Sequence, residues 1–329
     1  MRALIGILPL VLCLATLACG PLAAFDAVPK QHLEEEIQRF EYKQVHMGVQ
    51  ARIILYAPDS STAHRAAAAA FDRIAALDAI MSDYRSDSEL MRLAARGKGR
   101  WTRVSEDLYH VLVVADGLSR RSDGAFDITI GPIVALWRKA RRSGNLPADS
   151  ALAVARSKSG WRLVELDSAN QSVRLDADGM RLDLGGIAKG YAADEALAVL
   201  RDYGVTRALI EFGGDIAAGD PPPNSDGWCV LVPLLDAADQ EVTITNGAVS
   251  VSGDTQQFVE IDGSRYSHVV DPRTGRGLTG GIAVTVIADR AMLTDALATT
   301  LSVMGPDAGK ALLDAYYPTV RAYFRLPPE

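Results

Sequence analysis

The spacing of hydrophobic and polar residues changes repeatedly along the chain and predicts helices interleaved with strands. Residues 50–56 alternate between the two classes, as in a half-buried strand. The alanine-rich run that follows Ser60–Thr62 predicts a capped helix that ends near Met81. Further helices are expected at 105–121, 187–203 and 291–303, and further strands at 180–184, 207–212, 229–235, 241–245 and 283–288. The pattern indicates an α+β protein with more than one sheet.

The N-terminus has the features of a secretory signal. Arg2 supplies a positive charge, and the apolar run after it is too short for a comfortable transmembrane span. The run Thr16–Cys19 resembles a bacterial lipobox, in which the signal is cut before a cysteine that then carries lipid. We therefore expect a signal peptide at residues 1–18 and lipidation of Cys19. Cleavage by the ordinary signal peptidase, without lipid, is the alternative.

Composition and charge narrow the range of partners. The chain has 329 residues and a net charge of -7, and nothing gives it a broad basic face. A nucleic-acid partner is therefore not expected. The one basic cluster, Arg138–Arg142, is interpreted as a solvated helix end, with an acidic partner or an anionic membrane surface as the alternative. Cys229, the only cysteine beyond Cys19, is expected to lie buried in a strand.

Two oxygen-bearing side chains suggest a magnesium site. Asp295 and Thr299 stand four residues apart in the helix predicted for 291–303, so they share one face. A carboxylate and a hydroxyl offer hard oxygen ligands, which suit Mg²⁺. A helix-start aspartate with a threonine bonded back to the helix would give the same pattern.

A glycine-bearing turn suggests a phosphate site. Asp183 is followed by Gly185 and Gly186 and then by the helix predicted for 187–203. Such a turn lets the backbone approach a phosphate, and Lys189 in the first helical turn adds a positive charge. The Gly-x-Gly-x-x-Gly spacing of a dinucleotide-binding fingerprint is absent. A tight packing turn is the alternative interpretation.

Several motifs follow one another in a fixed order. They are Gly124–Pro132, Leu182–Asp194, Phe212–Asp215, Ser252–Asp254, Tyr266–Gly275 and the helix with Asp295 and Thr299. Together they resemble the ApbE family of FAD:protein FMN transferases. The resemblance begins near Met47, continues to the C-terminus, and implies a two-lobed α/β body with the flavin in the cleft between the lobes. It places an ApbE-like domain at 46–329, after a linker and lead-in at 19–45.

The resemblance also implies roles for individual residues. Mg²⁺ would be held by Asp295, Thr299 and the backbone carbonyl of Gly186. His268 would take the proton from an acceptor threonine, although a histidine near a strand end is often structural. FAD is the implied substrate, and the residues expected to contact it are Met47, Tyr84, Ala125, Phe126, Asp127, Asp183, Lys189 and Val270.

The implied activity is Mg²⁺-dependent transfer of FMN from FAD to a threonine of an acceptor flavoprotein, with release of AMP. The implied acceptors are subunits of membrane electron-transfer complexes, reached from the periplasmic face of the inner membrane. A soluble periplasmic form is the alternative location.

Two departures from the family pattern leave other functions open. Ala94 stands where many members have asparagine, and Thr255 stands where an aromatic residue is common. Loss of the polar side chain near the expected FAD region keeps open a Mg²⁺-dependent FAD pyrophosphatase, with water as the acceptor. A non-enzymic flavin-binding lipoprotein is the third possibility, although simple storage needs no base such as His268.

Overall fold

The computed structural model describes residues 37–232, 241–253 and 258–326. The signal segment, Cys19, Asp254 and Thr255 lie outside these ranges. The helices are α1 (Ser60–Met81), α2 (Glu89–Ala95), α3 (Glu106–Arg121), α4 (Gly131–Ser143), α5 (Asp149–Arg156), α6 (Ala188–Asp202) and α7 (Ala291–Tyr316). The strands are β1 (Gln38–His46), β2 (Val49–Ala57), β3 (Thr102–Arg103), β4 (Val164–Asp167), β5 (Ser172–Leu175), β6 (Ala208–Phe212), β7 (Asp215–Ala218), β8 (Trp228–Leu231), β9 (Glu241–Ile244), β10 (Gly247–Gly253), β11 (Phe258–Ile261), β12 (Ser264–Ser267), β13 (Val270–Asp271), β14 (Arg276–Gly277), β15 (Ala283–Ala288) and β16 (Arg321–Arg325).

An antiparallel sheet of seven strands, in the order β1-β2-β6-β7-β10-β15-β16, forms the frame of the fold. β1 pairs with β2 along its full length. Residues 38–45, expected in the lead-in, therefore belong to this sheet. This segment is mostly polar, but its side chains alternate between the two faces of the sheet. Phe40 and Tyr42 pack on the core, and Arg39 and Glu41 form an ion pair on the outer face.

Helices α6 and α7 pack together, and glycine makes the contact possible. A Cβ atom built on Gly190 of α6 would lie 2.1 Å from the carbonyl oxygen of Ala291, so the two backbones meet there. One turn later, Asp194 accepts hydrogen bonds from the backbone N–H groups of Ala291 (2.9 Å) and Met292 (3.0 Å). A side chain of α6 thus satisfies the first N–H groups of α7 and fixes where that helix begins.

Several predicted elements were right in kind but not in extent. α1 begins as expected, but its cap is Asp59, whose Oδ1 accepts from the Thr62 N–H. α7 continues past the predicted end at residue 303 and kinks at Gly305, whose φ is 76°, next to Pro306. The strand predicted at 180–184 is wrong. That segment makes only an isolated bridge between Arg181 and Ile130.

The prediction of a buried Cys229 is also wrong. Trp228 and Val230 of β8 point into an apolar cluster behind the large sheet. Because successive side chains of a strand point to opposite faces, Cys229 between them is exposed.

The α+β class predicted from the sequence is confirmed. Contacts group Ile37–Glu329 into one compact unit, and the division into two lobes stays a prediction. Within the described ranges, no helix combines the length and the apolar character needed to cross a bilayer.

Two glycine substitutions should change stability in opposite directions. Gly190→Ala should destabilise the fold by about 3 kcal/mol or more, because its methyl group would overlap the backbone of α7. Gly117→Ala in α3 meets only the end of the Arg121 side chain at 3.9 Å. It should stabilise the fold by roughly 0.5–1 kcal/mol through helix propensity. Urea unfolding measures both changes, and equal effects of the two variants would contradict the close contact between α6 and α7.

Candidate functional site

A cleft of about 830 Å³ brings the predicted site residues together. Its volume lies within the usual range for ligand sites. The candidate residues of the described chain that line it are Met47, Tyr84, Ala125, Phe126, Asp127, Asp183, Gly186, Lys189, His268, Val270, Asp295 and Thr299. They come from loops and elements between 47 and 299, so the fold itself assembles them. Their individual roles stay predictions.

At the base of the cleft, Lys189 lies between two buried carboxylates. Its Nζ is 3.2 Å from Oδ2 of Asp295 and 3.0 Å from Oδ2 of Asp215. The same Nζ donates to the carbonyl oxygen of Gly185 at 2.9 Å. Asp295 also accepts from the N–H of Gly190 at 3.1 Å. The ammonium therefore joins α6 to β7 and to α7.

The charges of this cluster do not balance within it. Burial and the Asp215 carboxylate raise the pKa of Asp295 to about 7, against the opposing influence of Lys189. Burial lowers the pKa of Lys189, but the carboxylates of Asp215 and Asp295 more than offset this and keep it above its ordinary value. Lys189 is therefore an ammonium, and when Asp295 is ionised two carboxylates share its one positive charge. Either a proton on Asp295, as its raised pKa indicates, or a further cation offsets this deficit.

Thr299 and Gly186 meet beside this cluster. A Cβ atom built on Gly186 would lie 2.9 Å from Oγ1 of Thr299, so a side chain there would displace the hydroxyl. Asp295 stands one turn before Thr299 on α7. The carboxylate, the hydroxyl and the adjacent backbone are hard oxygen donors, and this donor set fits Mg²⁺. In the described ranges, no three or more His, Cys, Asp and Glu side chains cluster closely enough to hold a metal.

Arg138 organises the wall of the cleft. It donates to Oδ2 of Asp83 at 2.5 Å and to Oδ2 of Asp183 at 3.0 Å. Its guanidinium also lies 4.2 Å from the ring centroid of Tyr84, an exposed side chain. Oδ1 of Asp183 accepts from the N–H of Gly185 at 2.9 Å and so shapes the glycine turn. For Arg138, the interpretation as part of a solvated helix end is therefore wrong.

Asp127 shapes the loop that it occupies. Its Oδ1 accepts from the Thr129 N–H at 2.8 Å, and its Oδ2 accepts from the Trp161 N–H at 2.9 Å. Burial raises the pKa of Asp127, and these hydrogen bonds oppose that effect. The carboxylate thus fixes the turn that directly follows Ala125 and Phe126, two buried residues that line the cleft.

His268 lies on the segment between β12 and β13, where its side chain is exposed and lines the cleft. The neighbouring Asp271 accepts from the N–H (2.9 Å) and Nε (3.0 Å) of Arg273. These contacts belong to the turn between β13 and β14, which favours the turn interpretation of Asp271.

Residues 47–324 match the model of the ApbE family, which is most of the chain. The chain belongs to the ApbE family. The FAD:protein FMN transferase of Escherichia coli strain K12 is 32% identical over 248 residues, covering 72% of this chain and 70% of that protein. An FAD:protein FMN transferase of Treponema pallidum strain Nichols is 30% identical over 342 aligned positions, covering 98% and 91%.

Solved structures of the ApbE family share the fold. The apo form of the Pseudomonas stutzeri flavinyl transferase ApbE has a TM-score of 0.78 at 28% identity and covers 89% of this chain and 92% of that one. The flavin transferase ApbE from Vibrio cholerae has a TM-score of 0.77 at 27% identity, covering 89% and 95%. The assignment that the motifs predicted, to a family of transferases, is confirmed.

Sequence reasoning missed three residues that build the site. Asp215 stands in a quoted motif but was given no role, although a carboxylate directly after Gly213 and Gly214 is a usable signal. Arg138 was hidden in a basic cluster. Asp194 ends a quoted motif but gave no signal of its capping role, because the N–H groups that it caps lie on a helix about a hundred residues later.

Replacing Lys189 should expose the charge imbalance at the base of the cleft. Lys189→Met leaves two buried carboxylates without their ammonium, so we expect a loss of about 3–5 kcal/mol at pH 8. A buried carboxyl with a raised pKa binds protons more tightly in the folded state. The loss should therefore shrink as the pH falls from 8 through about 7 towards 5.

Urea unfolding at pH 8 and pH 5, with a chelator present, measures this effect. Lys98→Met removes a positive charge from an exposed position and should leave stability unchanged at both values. A loss that is the same at both values would show that the carboxylates do not depend on Lys189.

Proposed function

We propose that this protein transfers FMN from FAD to a threonine of an acceptor flavoprotein, in a Mg²⁺-dependent reaction that releases AMP. The main support for this proposal is that one cleft contains the exposed His268 together with Gly186, Lys189, Asp295 and Thr299. Phosphate-binding, cation-binding and proton-accepting groups therefore face a common space. The flavin transferase names of the family relatives support the same activity.

Two parts of the cleft, the glycine turn before α6 and the Tyr84 ring, would hold FAD. The Gly185–Gly186 turn precedes α6, whose first N–H groups attract a phosphate. The Tyr84 ring can stack on a planar ring system, and the Arg138 guanidinium packs against the ring of Tyr84. The pyrophosphate would thus lie at the start of α6, with an aromatic ring of FAD towards Tyr84.

Asp295, Thr299 and the carbonyl of Gly186 would hold Mg²⁺, whose bound charge neutralises the phosphoryl oxygens. Other groups of the chain would position the pyrophosphate and the metal ligands. The α6 N-terminus orients the pyrophosphate, and Lys189 keeps Asp295 in place. Asp215 lies behind Lys189 and holds its ammonium from the other side.

His268 would take the proton from the acceptor hydroxyl. The threonine Oγ then bonds to the phosphorus of the FMN half, while the bond from that phosphorus to the bridging oxygen breaks. That oxygen leaves with AMP, and the hydroxyl proton ends on His268. A positioned base is worth about 10²–10⁴ in rate, which suits a weak nucleophile such as threonine.

The FAD pyrophosphatase is the main alternative, because it uses the same residues with water as the acceptor. The sequence supported this alternative through Ala94, which replaces a polar residue near the expected FAD region. That residue is half-buried on α2 and is not among the residues that line the cleft. Transfer is therefore the function that we favour over hydrolysis. We also favour it over simple flavin storage, which needs no base such as His268 in the cleft.

We also propose that the protein works outside the cytoplasm as a lipoprotein anchored through Cys19. Its acceptors would be subunits of membrane electron-transfer complexes that face the same compartment. Intact-mass analysis of membrane-extracted protein tests the anchor. A mature chain that begins beyond Cys19 without added lipid would leave the soluble periplasmic form.

Removing the carboxylate of Asp295 should abolish Mg²⁺-dependent turnover, because Thr299 and a backbone carbonyl cannot balance a divalent charge. Thr299→Val should reduce turnover less than Asp295→Ala does. Asp307→Ala, at an exposed position of α7, should have no effect. Turnover is measured at limiting Mg²⁺. Wild-type turnover in Asp295→Ala would show that this carboxylate is only structural.

Replacing His268 should separate chemistry from binding. His268→Ala should bind FAD normally, because the base meets the acceptor, while transfer falls by roughly 10² or more. Flavin fluorescence gives the FAD affinity, and mass analysis of the acceptor gives the transfer rate. Lower FAD affinity with unchanged transfer at saturation would reassign His268 to ligand binding.

AMP and FMN release, measured with and without an acceptor threonine, decides between the two enzymes. Transfer predicts AMP release that depends on the acceptor, together with covalent FMN on that acceptor. Rapid FMN release without an acceptor, and no covalent flavin on any acceptor tried, would establish the pyrophosphatase.

A further inference from the structure

One face of α4 runs along the cleft from its inner end to its outer end. Ile130, Val134, Arg138 and Arg141 line the cleft, at the spacing of neighbouring helical turns. The helix begins where Gly131 packs against the backbone of Arg181. Its other end, residues 142–146, is exposed. Of the two arginines, Arg141 therefore lies nearer to the exposed end of the helix, which we call the rim of the cleft.

The two arginines differ in their partners. Arg138 is paired with Asp83 and Asp183. Arg141 is half-buried, and its side chain makes no hydrogen bond or ion pair with any residue in the described ranges. It stands three residues after Arg138, about 4.5 Å further along the helix axis. An unpaired positive charge therefore lines the rim of the cleft.

An unpaired, half-buried guanidinium is available to bind an anion. Its planar donors match a carboxylate or phosphate in two parallel hydrogen bonds. The next residue, Arg142, is exposed and likewise lacks a partner in the described part of the chain. Both charges oppose the net charge of -7 of the whole chain. The rim is thus locally positive and suited to an anion that arrives from solution.

The position of Arg141 indicates which anion it binds. Under the proposed function, the FAD pyrophosphate belongs to the Gly185–Gly186 turn and Lys189 at the base of the cleft. Arg138 lies beside that turn, and Arg141 lies nearly one helical turn further on, next to the exposed end of α4 at the rim of the cleft. A group that reaches Arg141 from outside the cleft comes with the acceptor polypeptide.

We propose that Arg141 is a specificity-determining residue that binds a carboxylate of the acceptor polypeptide, close to the threonine that receives FMN. This proposal rests on the proposed transfer function. Arg142 adds positive charge beside this contact and steers acidic segments towards the rim. An acceptor threonine flanked by acidic residues is therefore preferred to one flanked by neutral or basic residues.

Three synthetic peptides of equal length test the proposal, each with one threonine flanked by aspartate, asparagine or lysine. Transfer is followed by mass analysis with FAD and Mg²⁺. Binding is measured separately by fluorescence anisotropy on versions with valine in place of threonine, so it requires no chemistry. The full-length protein is compared with Arg141→Met, Arg141→Glu and Lys139→Met.

Lys139→Met is the matched control, because it removes the same charge from the same helix. Its side chain is exposed, does not line the cleft, and points about 160° around the helix from Arg141. The wild type and Lys139→Met should prefer the aspartate peptide to the asparagine peptide by roughly fivefold in binding and in kcat/KM. Arg141→Met should lose this preference, and Arg141→Glu should prefer the lysine peptide. FAD affinity should stay unchanged.

Other results would overturn the proposal. A preference that persists in Arg141→Met would remove Arg141 from acceptor recognition. Weaker FAD binding in Arg141→Met, with the peptide preference intact, would assign Arg141 to a phosphate of FAD. Weaker binding to phosphatidylglycerol vesicles, with the peptide preference intact, would assign it to the membrane surface. If no peptide accepts FMN but the binding preference is present, the transfer function fails while the acidic-peptide surface stands.

Discussion

The buried ion cluster of Lys189 with Asp215 and Asp295 is the interaction on which the site depends. Moving three charged groups out of water is costly, and only their short mutual distances and additional hydrogen bonds offset that cost. The cluster joins α6, β7 and α7 at the point where the glycine turn enters α6. Removing one member leaves the other charges buried and uncompensated, so the cluster holds together only as a whole.

The same three groups can meet only because α7 lies very close to α6. Gly186 and Gly190 stand on either side of Lys189, and each faces α7, at Thr299 and Ala291 respectively. A side chain at either glycine would push α7 away and carry Asp295 out of reach of the ammonium. The two glycines, one in the turn before α6 and one in its first turn, and the oxygen spacing on α7 thus serve one packing requirement. On α7 the oxygens meet it because residues four apart face the same side of a helix.

Local geometry explains what the sequence could predict. Asp295 and Thr299 share a face because helix geometry relates residues four apart, and α7 places both on the cleft. Helices and strands with a clear period were likewise predictable. The partners were not, because Arg138 and Asp83 lie 55 residues apart in the chain and meet only in the folded state. The other site residues were predicted from the order of the motifs, which identified a family but no contact between residues.

Charge also explains why a cation belongs to the proposed reaction. Two carboxylates share one ammonium at the base of the cleft, and a pyrophosphate brought there adds further negative charge. The N-terminus of α6 offers only about half a positive charge, which cannot offset both. Arg138 does not help, since Asp83 and Asp183 already take its charge. If FAD binds at this turn as proposed, the two carboxylates repel its pyrophosphate and a further cation offsets that repulsion, which is the physical reason to expect FAD and Mg²⁺ to bind cooperatively under the proposed function.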